Sequence, residues 1–363
     1  MLVYRRVLFT PHSIGYKRVL SLHGHKLDKG TGVECETVFQ RVKNRLVGLG
    51  PRHWAVRGAL RLSALSKGWR VWFGENAIHM RRGNKELVLA DKEYVYVPLM
   101  FTYSKVWFDT MLPSSGGGHP EVWDYSRPGW QMYRSGLEMY MPALPEEDVF
   151  DAYTHWYKPQ SGDVVWDVGA HAGLTTYYLS KLVGPTGKVI AWEPDPFNYA
   201  CLLRNIERHQ LDNVVSTQKA LSGTTGTAQF HMDGTMAAGI QDFLAYPQAC
   251  RELHSVETLS LEDACKAFGV PKYIKMDIEG AERSVVECAV DFLRHCDIHW
   301  AIEAHPIKGR YTSEDMEELF PRSGYEVYSS LEYEILFTWA RPGCSRRHNC
   351  TRLSNDQLTI SSK

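Results

Sequence analysis

Acidic, imidazole and glycine residues recur at the ends of short apolar runs in the second half of this 363-residue chain. The first such run, Val164-Val165-Trp166, ends in Asp167-Val168-Gly169-Ala170-His171-Ala172-Gly173. An apolar stripe follows at Leu174, Tyr178, Leu179, Leu182 and Val183. The pattern predicts a strand, a tight turn and an amphipathic helix. Glycine lets backbone N–H groups and a helix N-terminus face a ligand without a side chain in the way. A second run, Lys188 to Trp192, ends in Glu193. An acid there, after a strand-turn-helix-strand unit, can accept hydrogen bonds from ribose hydroxyls. Further on, Tyr273 to Met276 ends in Asp277-Ile278-Glu279-Gly280, and Ile298 to Ile302 ends in Glu303-Ala304-His305.

These residues must be carried by a sheet. From Asp163 onward strand and helix patterns alternate five times and finish with two adjacent strands at Tyr325–Tyr328 and Ile335–Trp339. This predicts an α/β fold with a doubly wound, Rossmann-like sheet whose last strand is antiparallel. With strand order 3-2-1-4-5 the ends of the fourth and fifth strands are neighbours on the rim that holds Gly169. Ligands in open α/β sheets bind outside the carboxyl ends of the strands, so Asp277, Glu279, Glu303 and His305 are expected near the ligand. Elsewhere Asp195 and Pro196 start a helix as N-cap and first helical residue. Leu261–Phe268 is a short helix, residues 223–258 form an insertion with a hairpin near Ala228–His231, and one helix runs from Ala281 to about Leu293.

The ligand is not expected to be a dinucleotide. His171 stands where the middle glycine of a G-x-G-x-x-G loop would let a pyrophosphate approach, and Thr176 holds the place of the last glycine. S-adenosylmethionine carries no phosphate and tolerates a side chain there.

The run Asp167–Gly173, Glu193-Pro194, the Lys219-Ala220-Leu221-Ser222 turn and Lys275-Met276-Asp277-Ile278-Glu279-Gly280-Ala281-Glu282 together resemble the FkbM family of S-adenosylmethionine-dependent methyltransferases. The resemblance covers about residues 147–340. It implies a class I methyltransferase sheet, S-adenosyl-L-methionine as cofactor, and methyl transfer to a hydroxyl of a sugar, polyketide-type or other small molecule. By position it implies Asp167 and Gly169 at the methionine moiety, Glu193 at the ribose and Lys219-Ala220 at the adenine. His171 replaces the smaller or amide side chain common in the family, and Gly173 closes the loop.

An alcohol is a poor nucleophile at neutral pH, so a general base is expected. His305 suits that role by its intrinsic pKa. Asp277 could orient it, bind the cofactor or ligate a divalent ion together with Glu303 and His305. Glu279 and Glu282 can equally serve the helix N-terminus that follows. A nucleic-acid methyltransferase is disfavoured, because neither an Asn/Asp-Pro-Pro-aromatic motif nor a Pro-Cys nucleophile follows the fourth strand. A non-catalytic S-adenosylmethionine binder or scaffold would keep the cradle and lose Asp277, Glu303 and His305.

Four segments are expected: a basic, partly helical arm (1–68), a small β- and aromatic-rich region (69–146), the cofactor-binding domain (147–341) and a tail (342–363). Residues 1–72 hold 14 Lys and Arg against 3 acids, whereas the other 291 residues hold 27 against 39. Such an arm suits an anionic membrane surface or an acidic partner, and the acidic body opposes a phosphate backbone. Its short helices, on either side of Gly50-Pro51, could instead pack on the protein itself; residues 1–65 are expected to be dispensable for chemistry. Residues 69–101 predict a small antiparallel sheet with strands including Tyr94–Val97 and a hairpin at Gly83-Asn84. The aromatics of residues 104–160 are core, or a cap over a flat ligand. Pro145–Tyr157 has helical spacing. No run is long and apolar enough for a membrane helix or signal peptide, and the eight scattered cysteines suit reduced thiols, so a cytoplasmic protein is expected. Cys344, His348 and Cys350 make a weak metal set.

Overall fold

Helix α1 (Trp54–Ser66) places Val56, Leu60 and Ala64 one turn apart on a single face, and all three are buried. The computed structural model describes residues 49–114, 120–146, 148–232, 234–235, 238–242, 252–307, 310–332 and 335–343. All but Leu49 of the helix expected near Val38–Leu49, most of the Ser114–Gly118 loop and the Cys344-His348-Cys350 set lie outside these residues. The buried face of α1 packs with Trp69, Val71, Ile78 and Met80 in one core. This part of the expected basic arm is therefore committed to the body of the protein.

Strands β1 (Arg70–Phe73), β2 (Ala77–Arg82) and β3 (Lys85–Ala90) are antiparallel, and the β2–β3 hairpin closes at Gly83-Asn84 as the sequence predicts. The expected strand at Tyr94–Val97 is not formed. Helix α2 (Val97–Thr110) starts there instead, with Pro98 in its first turn, where a missing N–H costs nothing. Because α2 carries the chain back along the sheet, β4 (Glu121–Tyr125) joins β3 in parallel, and the small sheet is mixed rather than antiparallel. A hairpin of β5 (Gly129–Met132) and β6 (Glu138–Met141) completes this region. Trp107, Trp123, Tyr125 and Tyr133 are buried in its core, so most of the aromatic run is packing.

That core is continuous with the second half of the chain through Ala172, Leu174 and Cys201. Buried Asn205 brackets the joint: its Oδ1 accepts from Tyr140 N at 2.7 Å, and its Nδ2 donates to Tyr140 O at 2.9 Å and Ala172 O at 2.8 Å. The helix expected over Pro145–Tyr157 is a single turn, α3 (Phe150–Tyr153).

There follow β7 (Val164–Val168), α4 (Leu174–Val183), β8 (Lys188–Trp192), α5 (Pro196–Arg208) and β9 (Val214–Thr217). Asp195 caps α5 by accepting from Phe197 N and Asn198 N, as predicted. The insertion is a second small sheet of β10 (Ala220–Leu221), β11 (Gly226–Met232), β12 (Gly239–Ile240) and β13 (Glu252–Leu259), in the order β10-β13-β11-β12. Then come α6 (Leu261–Phe268), β14 (Tyr273–Met276), α7 (Glu282–Cys288), α8 (Val290–Leu293), β15 (His299–Glu303), β16 (Pro306–Ile307), β17 (Arg310–Tyr311), α9 (Thr312–Arg322), β18 (Tyr325–Glu332) and β19 (Ile335–Pro342). The single helix expected from Ala281 to Leu293 is divided at Ala289 into α7 and α8.

The seven-stranded sheet runs β18-β19-β15-β14-β7-β8-β9. The five strands β9, β8, β7, β14 and β15 are mutually parallel, and β19 is antiparallel to both β15 and β18. Burial of both faces explains why β7, β8 and β14 read as near-continuous apolar runs. The chain order reverses at β7, which lies between β8 and β14, so a crevice opens beyond its carboxyl end.

Candidate active site

A cavity of about 340 Å³ occupies that crevice. Its floor is the turn after β7. Gly169 sits at φ +78, and a Cβ there would lie 1.7 Å from the Asp277 carbonyl oxygen. Glycine is thus required for the β7 and β14 ends to approach each other. Gly173, at φ +92, faces Leu202 at 2.6 Å from where its Cβ would be, and it starts α4. Between them His171 adopts φ +47, a left-handed conformation uncommon for a residue other than glycine. Its N–H donates to Glu193 Oε2 at 2.8 Å, which holds the strained residue in place.

Asp167 is fully buried under this floor rather than in the cavity wall. Its Oδ2 accepts from the Thr176 hydroxyl at 2.5 Å, and its Oδ1 lies 3.4 Å from Lys275 Nζ. Lys275, also buried, donates to Gly169 O at 2.7 Å and lies 3.7 Å from Asp277 Oδ2. Burial alone would discharge the ammonium, but Asp167 and Asp277 outweigh it and hold the lysine protonated. The pair locks the loop to β14.

Glu193 is a buried lining residue. Its Oε1 accepts from Asp195 N at 2.8 Å, so both oxygens are held by backbone N–H groups. Burial, with Asp195 beside it, pushes its pKa up to about 7. Around it Trp192, Ala220, Leu221, Phe230, Ile240 and Ile278 make an apolar wall. Asn198 also lines the cavity, and its buried Oδ1 has no hydrogen-bond partner among the described residues.

At the opposite end carboxylates gather around one imidazole. His305 Nδ1 lies 3.0 Å from Glu282 Oε1, and Nε2 lies 3.5 Å from Asp277 Oδ1 and 3.7 Å from Glu279 Oε1. Burial lowers the ring's pKa, yet Glu279, Glu282 and Asp277 outweigh it and raise it well above the ordinary value. The ring is held as an imidazolium, which runs against the base role expected of it. Glu303, whose Oε2 accepts from Tyr153 OH at 2.9 Å, is pushed up to about 8 by burial and by repulsion from Asp277. Ligand atoms of Asp277, Glu303 and His305 lie within 4.8 Å of one another, close enough for a divalent ion once the ring gives up its proton.

The cavity brings together Gly169, His171, Glu193, Lys219 and Ala220 at one end, and Asp277, Glu303 and His305 at the other. Asp167 and Gly173 support it from beneath. The Lys219 side chain, although in the lining, reaches out to Glu257 Oε2 at 2.6 Å. Sequence reasoning missed Glu146 and Tyr153, both lining residues. Glu146 Oε1 pairs with His171 Nδ1 at 2.5 Å. No spacing rule links either residue to the strand-end motifs. Burial lowers the His171 pKa, but Glu146, Glu193 and Asp195 raise it more, and it lies above its ordinary value.

Residues 167–327 match the family described as the methyltransferase FkbM domain. Among solved structures, the chain resembles an FkbM methyltransferase from Methylobacillus flagellatus KT, with 15% identity, coverage of 52% of this chain and 47% of that one, and a TM-score of 0.38. It thus spans about half the length of that protein. A precorrin-6y C5,15-methyltransferase from Geobacter metallireducens GS-15 shows 13% identity, 55% and 90% coverage and a TM-score of 0.36. A SAM-dependent methyltransferase from Aquifex aeolicus shows 16%, 50% and 82%, and 0.31. No curated protein sequence matches the chain.

Proposed function

We propose, from the match of residues 167–327 to the methyltransferase FkbM domain, that the cavity binds S-adenosylmethionine and serves methyl transfer to a hydroxyl oxygen of a small acceptor. Sugars and polyketide-type molecules are the acceptor classes in view.

The residues present fit such a donor. Glu193 is a buried acid at the place where ribose hydroxyls would meet it. The apolar wall of Trp192, Leu221, Phe230 and Ile278 suits an adenine, and the unpartnered Asn198 Oδ1 can accept from an exocyclic amine. Bound there, S-adenosylmethionine supplies a methyl group on a positively charged sulfur. The chain's own task is to align an acceptor oxygen and take its proton.

The observation that carries the reading is Glu303. Its carboxyl lines the cavity, its pKa is moved into the range where a base works near neutral pH, Tyr153 donates a hydrogen bond to it, and the nearby charge of His305 favours its ionised form. In its ionised form Glu303 accepts the acceptor's hydroxyl proton. The His305 imidazolium balances Asp277, Glu279 and Glu282, so that these acids do not suppress ionisation of Glu303 entirely. Lys275 offsets charge at Asp277 from below.

Two measurements test this. Calorimetry should show binding of S-adenosylhomocysteine and none of NAD; the reverse would sink the assignment. Mass spectrometry over a panel of hydroxylated small molecules should find one that gains a CH₂, and that activity should survive a chelator. Loss with the chelator and recovery with a single divalent ion would instead assign Asp277, Glu303 and His305 to a metal that activates the hydroxyl.

The basic N-terminal segment is a separate matter. Exposed Trp54, Leu62 and Leu65 share one stripe of α1 with Arg61, which supports contact with an anionic membrane surface. Co-sedimentation with anionic liposomes that persists unchanged at high salt, or is absent, would remove that reading.

A further inference from the structure

His171 has one nitrogen committed and one not. Nδ1 pairs with Glu146 Oε1 at 2.5 Å, whereas Nε2 is buried in the residue that lines the cavity and has no hydrogen-bond partner among the described residues. A buried polar atom without a partner costs stability, so its presence in a native site calls for a functional explanation. Glu146 lies outside the matched methyltransferase segment, and the N-terminal region holds the short stretch that carries it. Tyr133 OH donates to Glu146 O at 3.0 Å, Trp107 Nε1 donates to Pro145 O at 3.1 Å, and Leu144 N donates to Glu93 Oε1 at 3.1 Å.

We propose that His171, braced by Glu146, donates from Nε2 to the amino-acid carboxylate of the methyl donor, so that the N-terminal region is a working part of the donor site. The inference rests on the reading of the cavity as an S-adenosylmethionine site. It follows from the chemistry of Nε2: with its Nδ1–H given to Glu146, the ring offers a second N–H, at Nε2, as an imidazolium, and the donor's only fixed anion at neutral pH is its carboxylate. The turn on which His171 sits is the one the bound methionine moiety would meet first beyond β7. Glu146, Glu193 and Asp195 are the charged groups that face the ring, and all three favour its protonated form.

The experiment is calorimetric, with full-length protein and two ligands: S-adenosylhomocysteine and its decarboxylated analogue, which lacks only the carboxylate. His171→Asn and Glu146→Gln should each weaken S-adenosylhomocysteine binding on the order of 10- to 100-fold, the usual consequence of losing a hydrogen bond between charged groups. Binding of the decarboxylated analogue should change little. In the wild type, the preference for the carboxylate-bearing ligand should shrink as pH rises past the imidazole's pKa, and this trend should be absent in His171→Asn. Equal losses for both ligands, or none for either, would overturn the inference. Tyr133→Phe, which leaves both charged side chains in place, guards against simple misfolding: a smaller loss confined to the carboxylate-bearing ligand is expected, and a loss shared by both ligands counts against the proposal. Wild-type protein that binds neither ligand would instead refute the cofactor reading beneath it.

Discussion

The hydroxyl of Tyr153 donates a 2.9 Å hydrogen bond to Glu303, joining α3, the turn that leads the chain into the large sheet, to the acid at the end of β15. The tyrosine is buried, and its own ionisation is pushed far up by that burial and by the carboxylates around it, so it acts only as a donor. A donor aimed at a carboxylate favours the ionised form, which partly offsets burial and the repulsion from Asp277.

If Glu303 is the base, turnover at saturating donor and acceptor should rise with pH through about 8, because the ionised form is the active one and dominates above its pKa. Glu303→Gln should lose roughly 10² to 10⁴ in kcat and remove that limb while still binding S-adenosylhomocysteine. Tyr153→Phe and His305→Gln each remove something that stabilises the ionised carboxylate, so the limb should move to higher pH in both. A limb that persists in Glu303→Gln and disappears in His305→Gln would return the base role to His305.

Cofactor affinity should carry its own pH dependence. Glu193 has a pKa near 7, raised by burial and Asp195, and only its ionised form offers both oxygens to ribose hydroxyls. Protonation therefore competes with binding, and affinity for S-adenosylhomocysteine should rise as pH increases from 5 through about 7 and then level off, up to tenfold per pH unit on the acid side. Titration calorimetry across that range checks it. Glu193→Gln should flatten the acid limb and cost about 1 to 3 kcal/mol at neutral pH.

Asp167 and Lys275 should report on stability more than on binding. Both are buried and each neutralises the other, so Lys275→Met leaves an uncompensated carboxylate beneath the loop. The expected cost is about 3 to 5 kcal/mol in chemical denaturation. Asp167→Asn with Lys275→Met together should cost less than Lys275→Met alone. A single Lys275→Met variant of wild-type stability would show that the pair does not hold the floor.

Helix α1 should prove structural. Its Leu60 is 7% exposed in the core shared with β1 and β2. Leu60→Ala should cost about 2 to 5 kcal/mol. A chain starting at Gly68 should lose cooperative thermal unfolding by circular dichroism, and a shortened chain that melts as the full chain does would restore the arm to a dispensable accessory.

Much of the architecture was legible because burial on both faces leaves apolar runs, and turns leave glycine and acid at their ends. That pattern placed β7, β8, β9, β14 and β15 in order, and a parallel sheet then put Asp277 beside His305, whose Nε2 lies 3.5 Å from Asp277 Oδ1. The N-terminal region was harder: its strands pair around an intervening helix, so local alternation did not disclose the parallel β3–β4 pairing or the start of α2. The roles of the site residues were decided only in three dimensions. Asp167 carries the same motif position whether it faces a ligand or a lysine, and it is the approach of Lys275 from β14 that takes it out of the cavity. His305 has an ordinary intrinsic pKa, and it is the convergence of Asp277, Glu279 and Glu282 that keeps it charged and moves the proposed base role to Glu303. Glu146 reaches His171 from 25 residues away. Residue type and spacing set the backbone path and the direction of each strand end, whereas protonation depends on charges within a few ångströms, and those distances exist only once the chain has folded.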